Sequence, residues 1–238
     1  MPNSYFQFKQ FTVNQDRSAM KVTTDACLFG GWIAAQEFSQ TKNILDIGAG
    51  TGLLMLMIAQ KSCAEITGIE IEENACNQCI GNIKSSPWSE RLHVIHLDIK
   101  NYTTEKKFGL IISNPPFYDN QLKSPDAKRN IAHHQSSLNF ENLFWKVISL
   151  LEPDGFFAVL VPASETGSIK NIGFRFSLSV FEEVKLKQTP AHNYFRSILV
   201  FQNKKGDKTI ESEITIKDAE RNYTSEFSIL LKDYYLHL

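Results

Sequence analysis

The hydrophobic pattern alternates short apolar runs with stretches of helical periodicity from residue 43 onward. The segment Asn43–Ile47 is typical of a buried strand, and Phe156–Val161 is typical of a central strand that is covered on both faces. The other strands of this part are predicted at Ile66–Ile69, Leu92–Leu97 and Gly109–Ser113, and its helices at Thr51–Lys61, Glu72–Lys84 and Phe140–Leu151. Alternating strands and helices of this kind indicate βαβ units and a parallel sheet.

The last part of the chain departs from this alternation. Two strand-like runs, Val180–Lys187 and Arg196–Gln202, follow each other with only a loop through Pro190 between them. We expect them to pair antiparallel, because a parallel return needs a crossover of about a dozen residues or more. A further strand, Glu213–Ile216, and a helix over Ser225–Leu236 follow a polar linker. The pattern predicts an α/β fold in which a mostly parallel, seven-stranded sheet is closed by an antiparallel hairpin and carries helices on both faces.

Composition and charge exclude several classes of protein. The chain has 238 residues, of which 42% are hydrophobic, and a formal net charge of −1, so it is not a disordered protein. The balanced charge argues against a protein that coats nucleic acid by bulk electrostatics. The longest purely apolar run, Leu53–Ala59, is far shorter than the ~20 residues that span a bilayer, and the first thirty residues hold no secretory signal. We therefore expect a cytoplasmic protein without a membrane segment.

The cysteines and histidines do not predict a metal site. Cys76 and Cys79 form a C-x-x-C pair that His93 and His96 follow, which superficially resembles a zinc finger. The two histidines are separated by only two residues, whereas a zinc finger needs about three to five. They also fall on a predicted strand, where side chains at positions i and i+3 point to opposite faces. We predict no bound metal.

A glycine-rich loop, Asp46-Ile47-Gly48-Ala49-Gly50-Thr51-Gly52, joins the first predicted strand of the sheet to the next helix. Glycines at such a turn allow a sharp change of direction and the close approach of a ligand. The spacing differs from the G-x-G-x-x-G fingerprint of dinucleotide-binding proteins, and the leading aspartate would repel a phosphate but suits a cationic headgroup. Glu70, at the end of the next strand, can accept hydrogen bonds from a ribose diol, and Asp98 with Ile99 suits an adenine edge.

This pattern resembles the class I S-adenosylmethionine-dependent methyltransferases, which have a Rossmann-like fold, over roughly residues 43–202. The resemblance implies that the glycine loop holds the methionine part of the cofactor. It implies also that Glu70 holds the ribose and that Asp98 and Ile99 meet the adenine, with Asn101 as a nearby competitor of Asp98.

A second motif, Asn114-Pro115-Pro116-Phe117, follows the predicted strand Gly109–Ser113. Catalytic residues of such sheets lie beyond the carboxyl ends of the strands, so this motif is expected to face the cofactor. The Asn114 side chain and the Pro115 carbonyl can accept the two N–H groups of a planar amine, while Phe117 stacks on a base swung out of its helix. The motif resembles that of methyltransferases acting on planar amino or amide nitrogens. The predicted catalytic residues are Asn114, Pro115, Pro116 and Phe117.

The two ends of the chain add a more specific resemblance. Phe8–Phe11 and Asp16–Ala26 are similar to the leader, and Tyr223–Leu236 to the closing helix, of the bacterial tRNA adenine-N6 methyltransferases that modify adenosine 37 of a valine tRNA. In that family the leader around Lys21–Asp25 lines the cofactor pocket. The resemblance implies methyl transfer to N6 of a tRNA adenine from S-adenosylmethionine, with S-adenosylhomocysteine as product. The implied cofactor-binding residues are Lys21, Thr23, Asp46, Gly48, Ala49, Gly50, Gly52, Glu70, Ile71, Asp98, Ile99 and Asn114.

The same resemblance implies how the chain is divided. Residues 1–40 are expected to form a leader packed on the cofactor pocket, residues 41–203 the methyltransferase domain, and residues 204–238 a strand and a helix that extend this domain. Lys123, Lys128 and Arg129 follow the catalytic motif and are suited to bind RNA phosphates. The expected partner is tRNA, and the expected oligomeric state is a monomer.

The sequence is also compatible with other methyl acceptors. The second motif also serves enzymes that methylate guanine N2 in ribosomal RNA, adenine in DNA or a glutamine amide in release factors. The release-factor enzymes carry a helical domain before the sheet and the guanine-N2 enzymes a duplicated domain, which favours tRNA for a chain of 238 residues. A non-catalytic module that binds RNA or the cofactor is the second alternative.

Overall fold

The computed structural model describes residues 3–18, 20–116, 140–204, 206 and 208–238. Its strands are β1 (Tyr5–Gln7), β2 (Thr12–Asn14), β3 (Asn43–Ile47), β4 (Glu65–Glu70), β5 (Leu92–His96), β6 (Phe108–Ser113), β7 (Leu151–Pro162), β8 (Ser179–Lys187), β9 (Tyr194–Gln202) and β10 (Ile210–Thr215). Its helices are α1 (Thr24–Ala34), α2 (Leu53–Ala59), α3 (Glu73–Lys84), α4 (Phe140–Leu150), α5 (Thr166–Arg175) and α6 (Ser225–Leu231).

The main sheet has the strand order β10-β8-β9-β7-β6-β3-β4-β5. Strands β3 to β9 are the seven that the sequence predicts, and the mostly parallel sheet closed by the antiparallel β8–β9 hairpin is confirmed. Strand β10 adds an eighth strand at one edge, where it pairs parallel to β8 with Ile210 opposite Glu182. The short connection between β9 and β10 is long enough for this parallel pairing. Strand β9 ends at Gln202, opposite Ser179 at the start of β8, so the chain is already at the end of β8 where β10 begins.

Helix α1 and a separate two-stranded hairpin of β1 and β2 lie before this sheet, and the hydrophobic pattern predicts neither. The Thr23 side chain caps α1, which is buried over nearly its whole length. A Cβ at Gly30 would lie 2.7 Å from Sδ of Met57 in α2, and one at Gly31 would lie 2.8 Å from a methyl group of Leu231 in α6. Because α1 is packed on both sides, it has no polar face that would reveal a helical period.

Strand β7 begins earlier than the sequence predicts. It starts at Leu151 rather than Phe156, and residues 153–155 lie inside an irregularity of the strand. Leu151 pairs with Phe108 of β6, and the next paired residues are Phe156 and Leu110. The extra residues of β7 are therefore accommodated as a bulge in continuous pairing.

Two helices also differ from the sequence prediction. Helix α5 is not predicted, because few of its positions are apolar; it packs closely on the sheet at Gly173, where a Cβ would lie 2.4 Å from the Phe201 ring. Helix α6 ends at Leu231 instead of Leu236. Tyr234 is nevertheless buried, and its hydroxyl donates to the carbonyl of Met57 at 3.0 Å.

The core lies on both faces of the sheet. Side chains alternate along β3, so that Ile44 packs in the cluster formed with α1, α2, α3 and α6, and Leu45 packs in the cluster formed with α4 and α5. Helices on both faces are therefore confirmed. Within the described ranges, no helix is both long and apolar enough to cross a membrane.

Candidate active site

The carboxyl ends of four adjacent parallel strands bring both sequence motifs to one edge of the sheet. Strands β6, β3, β4 and β5 are neighbours, and Ile47 at the end of β3 lies opposite Ser113 at the end of β6. The Ser113 hydroxyl donates to the Ile47 carbonyl at 2.8 Å. The next residues along these two strands are Gly48 and Asn114, so the glycine loop and the Asn-Pro-Pro motif begin side by side.

A cleft at this edge collects many of the predicted cofactor-binding residues. It is lined by Lys21 and Thr23 of the leader, by Gly48, Ala49 and Gly50 of the loop, and by Asn114. The remaining lining residues are Met20, Val22, Ala26, Thr51, Leu53 and Leu54. The Lys21 ammonium donates to the carbonyls of Gln15 and, at 3.2 Å, Ser18, so it holds the leader in place beside the cleft.

The glycines of the loop serve two purposes. All three have a positive φ, +81° at Gly48, +55° at Gly50 and +82° at Gly52, which favours glycine over other residues. A Cβ at Gly48 would have no atom of the described residues within 4 Å, so the backbone there is open toward the cleft. A Cβ at Gly52 would lie 2.8 Å from Sγ of Cys79. Gly52, which is absent from the cleft lining, therefore allows α2 to pack against α3.

Asp46 is a buried carboxyl directly before this loop. Its side chain is fully buried in β3, between Gly68 of β4 and Ile112 of β6. Neither of its oxygens has a hydrogen-bond partner among the described residues. Burial, and secondarily the charge of Glu70, raise the pKa of Asp46 to about 8. Without a ligand this carboxyl is therefore mostly protonated at neutral pH.

Glu70 connects β4 to the glycine loop. Its Oε2 accepts the Gly50 N–H at 2.8 Å, and its Oε1 accepts the Glu72 N–H at 2.8 Å. The residue is buried, at 7% exposure. Each carboxylate oxygen has two acceptor positions, so both can accept one further hydrogen bond.

The residues after β4 and β5 complete this edge, although they do not line the cleft itself. Ile71 is 56% exposed, and its carbonyl is hydrogen-bonded to Nε2 of His96 at 3.0 Å. Asp98 accepts the Lys100 N–H at 2.9 Å and so caps the turn Ile99–Asn101. The Ile99 side chain packs into the core, so it offers a ligand only its backbone.

The second motif is only partly within the described residues. Asn114 is half-buried, Pro115 is buried and Pro116 is exposed. Phe117 and the basic residues Lys123, Lys128 and Arg129 lie outside the described residues.

Two buried amides of α3, Gln78 and Asn82, were not found by sequence reasoning. Asn82 exchanges hydrogen bonds of 2.9 Å with the backbone N–H and carbonyl of Asn14, and it donates to the Thr51 carbonyl at 2.9 Å. Gln78 accepts the Arg17 N–H at 3.1 Å. Together they join the leader to the loop that lines the cleft. In the sequence, these two residues could have been recognised as two amides, four residues apart, on the otherwise apolar face of a predicted helix.

Asn82→Ala should lower the free energy of unfolding by about 2–4 kcal/mol, because three backbone groups of Asn14 and Thr51 lose their partner. Urea unfolding followed by circular dichroism measures this change. Asn77→Ala is the matched control, since Asn77 is exposed on the same helix and its replacement should change stability by less than about 0.5 kcal/mol. Equal effects of the two substitutions would show that the hydrogen bonds of Asn82 to Asn14 and Thr51, which form an amide bridge between the leader and the glycine loop, do not stabilise the fold.

Comparisons with known proteins give consistent similarities. Residues 29–149 match the family model described as the methyltransferase small domain. The chain is 40% identical to the tRNA1(Val) (adenine(37)-N6)-methyltransferase of Phocaeicola vulgatus over 238 residues, which cover 100% of both proteins. It is 38% identical to the protein of the same name from Flavobacterium johnsoniae, over 98% of this chain and 100% of that one.

Solved structures share the fold at low sequence identity. A protein described as a predicted O-methyltransferase from Agrobacterium tumefaciens aligns with a TM-score of 0.67 at 15% identity, over 87% of this chain and 95% of that one. TYW2 of Pyrococcus horikoshii, in complex with MeSAdo, aligns with a TM-score of 0.61 at 15% identity, over 83% of this chain and 70% of that one. These structures establish the architecture of the sheet and its helices.

Proposed function

We propose a function from the premise that this chain belongs to the family of tRNA1(Val) (adenine(37)-N6)-methyltransferases. The protein is an S-adenosylmethionine-dependent enzyme that transfers a methyl group to N6 of adenosine 37 in a valine tRNA. The observation that carries this proposal is that Asn114 and the glycine loop line one cleft at the carboxyl edge of the sheet. A cofactor site and a site for a planar amine are thereby adjacent.

The residues of this edge fit S-adenosylmethionine. The cofactor is cationic at its methionine end, and Asp46 offers a buried carboxyl without a partner among the described residues. The open backbone at Gly48 leaves space for a ligand against the loop. The free acceptor positions of Glu70 suit the ribose hydroxyls, and the exposed Ile71 and the carboxylate of Asp98 suit the adenine. We propose these residues, with Ala49, Gly50 and the leader residues of the cleft, as the cofactor site.

Asn114 and Pro115 hold the methyl acceptor. S-Adenosylmethionine, when bound, supplies an activated methyl group and leaves as S-adenosylhomocysteine. The Asn114 Oδ1 and the Pro115 carbonyl accept hydrogen bonds from the adenine amino group and so orient its lone pair. The same acceptors stabilise the positive charge that develops on the nitrogen in the transition state. The acidic N–H created by methylation then loses its proton to water, and Phe117 is proposed to stack on the base.

Lys123, Lys128 and Arg129 are proposed to contact tRNA phosphates, and the enzyme is proposed to act as a monomer in the cytoplasm, where tRNA is modified. The proposed leader, methyltransferase domain and extension (residues 1–40, 41–203 and 204–238) are supported by the leader residues in the cleft and by the pairing of β10 with β8.

The proposed reaction is tested with the purified protein, methyl-labelled S-adenosylmethionine and total tRNA from a strain that lacks this protein. After digestion to nucleosides, the label should appear in N6-methyladenosine, and it should be absent when the tRNA comes from the parent strain. Label in a methylated guanosine, or only in added DNA or release factor, would replace the assignment by one of the alternative substrates. Cofactor binding without label in any acceptor would identify a non-catalytic module.

A further inference from the structure

A second cleft opens on the other side of the start of α1. Thr23 lines the candidate active site, whereas the next residues, Thr24 and Asp25, line this second cleft. Its other walls come from the turn between β8 and β9 and from the segment between β10 and α6. Its volume is about 660 Å³, within the range of ligand-binding cavities.

The second cleft lies at the same edge of the sheet as Asn114. Arg196, which lines the cleft, pairs with Pro162 at the end of β7. Strand β7 is the neighbour of β6, which ends at Ser113 immediately before Asn114. The two clefts therefore lie at one edge of the sheet and share the start of α1 as a wall.

Positive charge is concentrated in this cleft. Among the described residues, three cations line it, Arg196, Lys217 and Arg221, together with one carboxylate, Asp25. With His192 neutral, the net charge of this lining is +2 (3 − 1), whereas the whole chain has −1. The carboxylate is already compensated, because its Oδ2 accepts from Nε of Arg196 at 3.1 Å. The surplus charge of Lys217 and Arg221 favours an anionic ligand.

An aromatic surface accompanies these cations. Tyr223 lines the cleft and is 39% exposed. Its ring stacks on Phe227 of α6, with 4.6 Å between centroids and 13° between planes, and the Lys217 ammonium lies 5.2 Å from its centroid. A fixed, partly exposed ring beside cations is typical of surfaces that bind single-stranded nucleic acid.

Arg221 has a strained backbone where it reaches the cleft. Its φ is +69°, in the left-handed region that arginine adopts only at a cost. The turn is held by hydrogen bonds from the Asn222 N–H to Asp218 Oδ1 at 2.8 Å and from the Asp218 N–H to the Asn222 carbonyl at 2.9 Å. Glycine or asparagine would adopt this conformation more easily than arginine.

We infer that the second cleft binds phosphate groups of the tRNA strand next to the target adenosine, through Lys217 and Arg221 and beside Tyr223. The inference rests on the proposed function, because a polynucleotide whose base occupies the first cleft extends over the shared wall at α1. An acidic peptide would meet the same charges, but it has no reason to lie beside the site of a base.

The test is the double variant Lys217→Gln/Arg221→Asn, in which asparagine tolerates the left-handed backbone. The Kd for unmodified tRNA is measured between 50 and 200 mM salt, in the presence of S-adenosylhomocysteine. We expect weaker binding and a slope of log Kd against log salt that is smaller by about 1.4, since each single-strand phosphate contact contributes about 0.7. Over this fourfold range of salt, the wild-type protein should lose about sevenfold more affinity than the variant (4 raised to 1.4). The Kd for S-adenosylmethionine should not change.

The control removes two exposed lysines before β3 and β6, at the opposite edge of the sheet, as Lys42→Gln/Lys106→Gln. It should leave both the Kd for tRNA and its salt slope at the wild-type values. A cleft variant with wild-type Kd and slope, or a control with an equal loss, would overturn the second-cleft proposal while the nucleoside assay still identifies the enzyme. A wild-type protein that methylates no tRNA adenine would overturn the proposed function, and this inference with it.

Discussion

Asn114→Ala should reduce the turnover number by about 10²–10³-fold, the usual effect of removing one group that stabilises charge in a transition state. The variant loses the side-chain acceptor for the adenine amino group and keeps the Pro115 carbonyl. The glycine loop, Asp46 and Glu70 are unchanged, so the Kd for S-adenosylmethionine should stay within about threefold of the wild-type value, as expected for one lost neutral contact.

The matched control is Asn43→Ala, since Asn43 begins β3, the strand whose other end precedes the glycine loop, and thus lies at the opposite edge of the sheet. Its turnover number should equal that of the wild-type protein. Single-turnover methylation of tRNA gives the rate of the chemical step, and calorimetric titration gives the cofactor Kd. A fully active Asn114→Ala protein would remove Asn114 from the mechanism, and a large loss of cofactor binding would make it a cofactor ligand only.

Asp46→Asn should have two opposite effects, on stability and on cofactor binding. Keeping the wild-type carboxyl buried costs on the order of 4 kcal/mol at pH 7, because its pKa moves from 3.8 to about 8. The amide avoids this cost but leaves buried polar atoms unpaired, at about 1–3 kcal/mol. Without cofactor, the variant should therefore be more stable than the wild-type protein by about 1–3 kcal/mol at pH 7. Loss of a buried carboxylate opposite a cation should weaken S-adenosylmethionine binding by about 10²-fold or more.

The stability gain of Asp46→Asn should depend on pH, because the pKa of Asp46 differs between the folded and unfolded states. Between pH 3.8 and about 8, folded Asp46 holds a proton that the unfolded chain has lost, so the wild-type stability from this group falls as the pH rises through that window. The stability difference between Asp46→Asn and the wild-type protein should grow from about pH 4 and level off above about pH 8. Urea unfolding at several pH values measures it.

Asp154→Asn, at an exposed carboxylate, is the control for this series, and its stability should stay within about 0.5 kcal/mol of the wild-type value. An Asp46→Asn protein that is less stable than wild type at pH 8, or that retains cofactor affinity, would contradict the role assigned to Asp46.

The parallel part of the sheet could be predicted from the sequence because its strands are short, mainly apolar runs and α3 has a clear helical period. The same approach missed α1 for a physical reason. Gly30 and Gly31 lower helix propensity locally, but they allow contacts with Met57 and Leu231 that lie far along the chain. The closing hairpin of β8 and β9 was predictable from the length of its connection, and the position of β10 beside β8 was not.

Some features of the candidate site could also be predicted from the sequence, and others depend on contacts between distant segments. The positions of Glu70 and Asn114 at the carboxyl edge could be predicted because each follows directly after a predicted strand. The role of Gly52 was assigned to the cofactor by its place in the motif, whereas the structure places Cys79 of another helix against it. Burial raises the pKa of that thiol well above its usual range, so Cys79 remains a neutral packing group.

The amino-acid sequence alone determined the two motifs and the alternation of strands and helices that brings both motifs to one edge of a parallel sheet. These features depend on residues close together in the chain, where periodicity and turn chemistry are local. Only the tertiary structure decided the protonation of Asp46, the amide bridge of Asn82 and the second cleft. Each of these depends on groups that the fold brings together from distant segments, as with Asp25 and Arg196, which are 171 residues apart in sequence and joined at 3.1 Å.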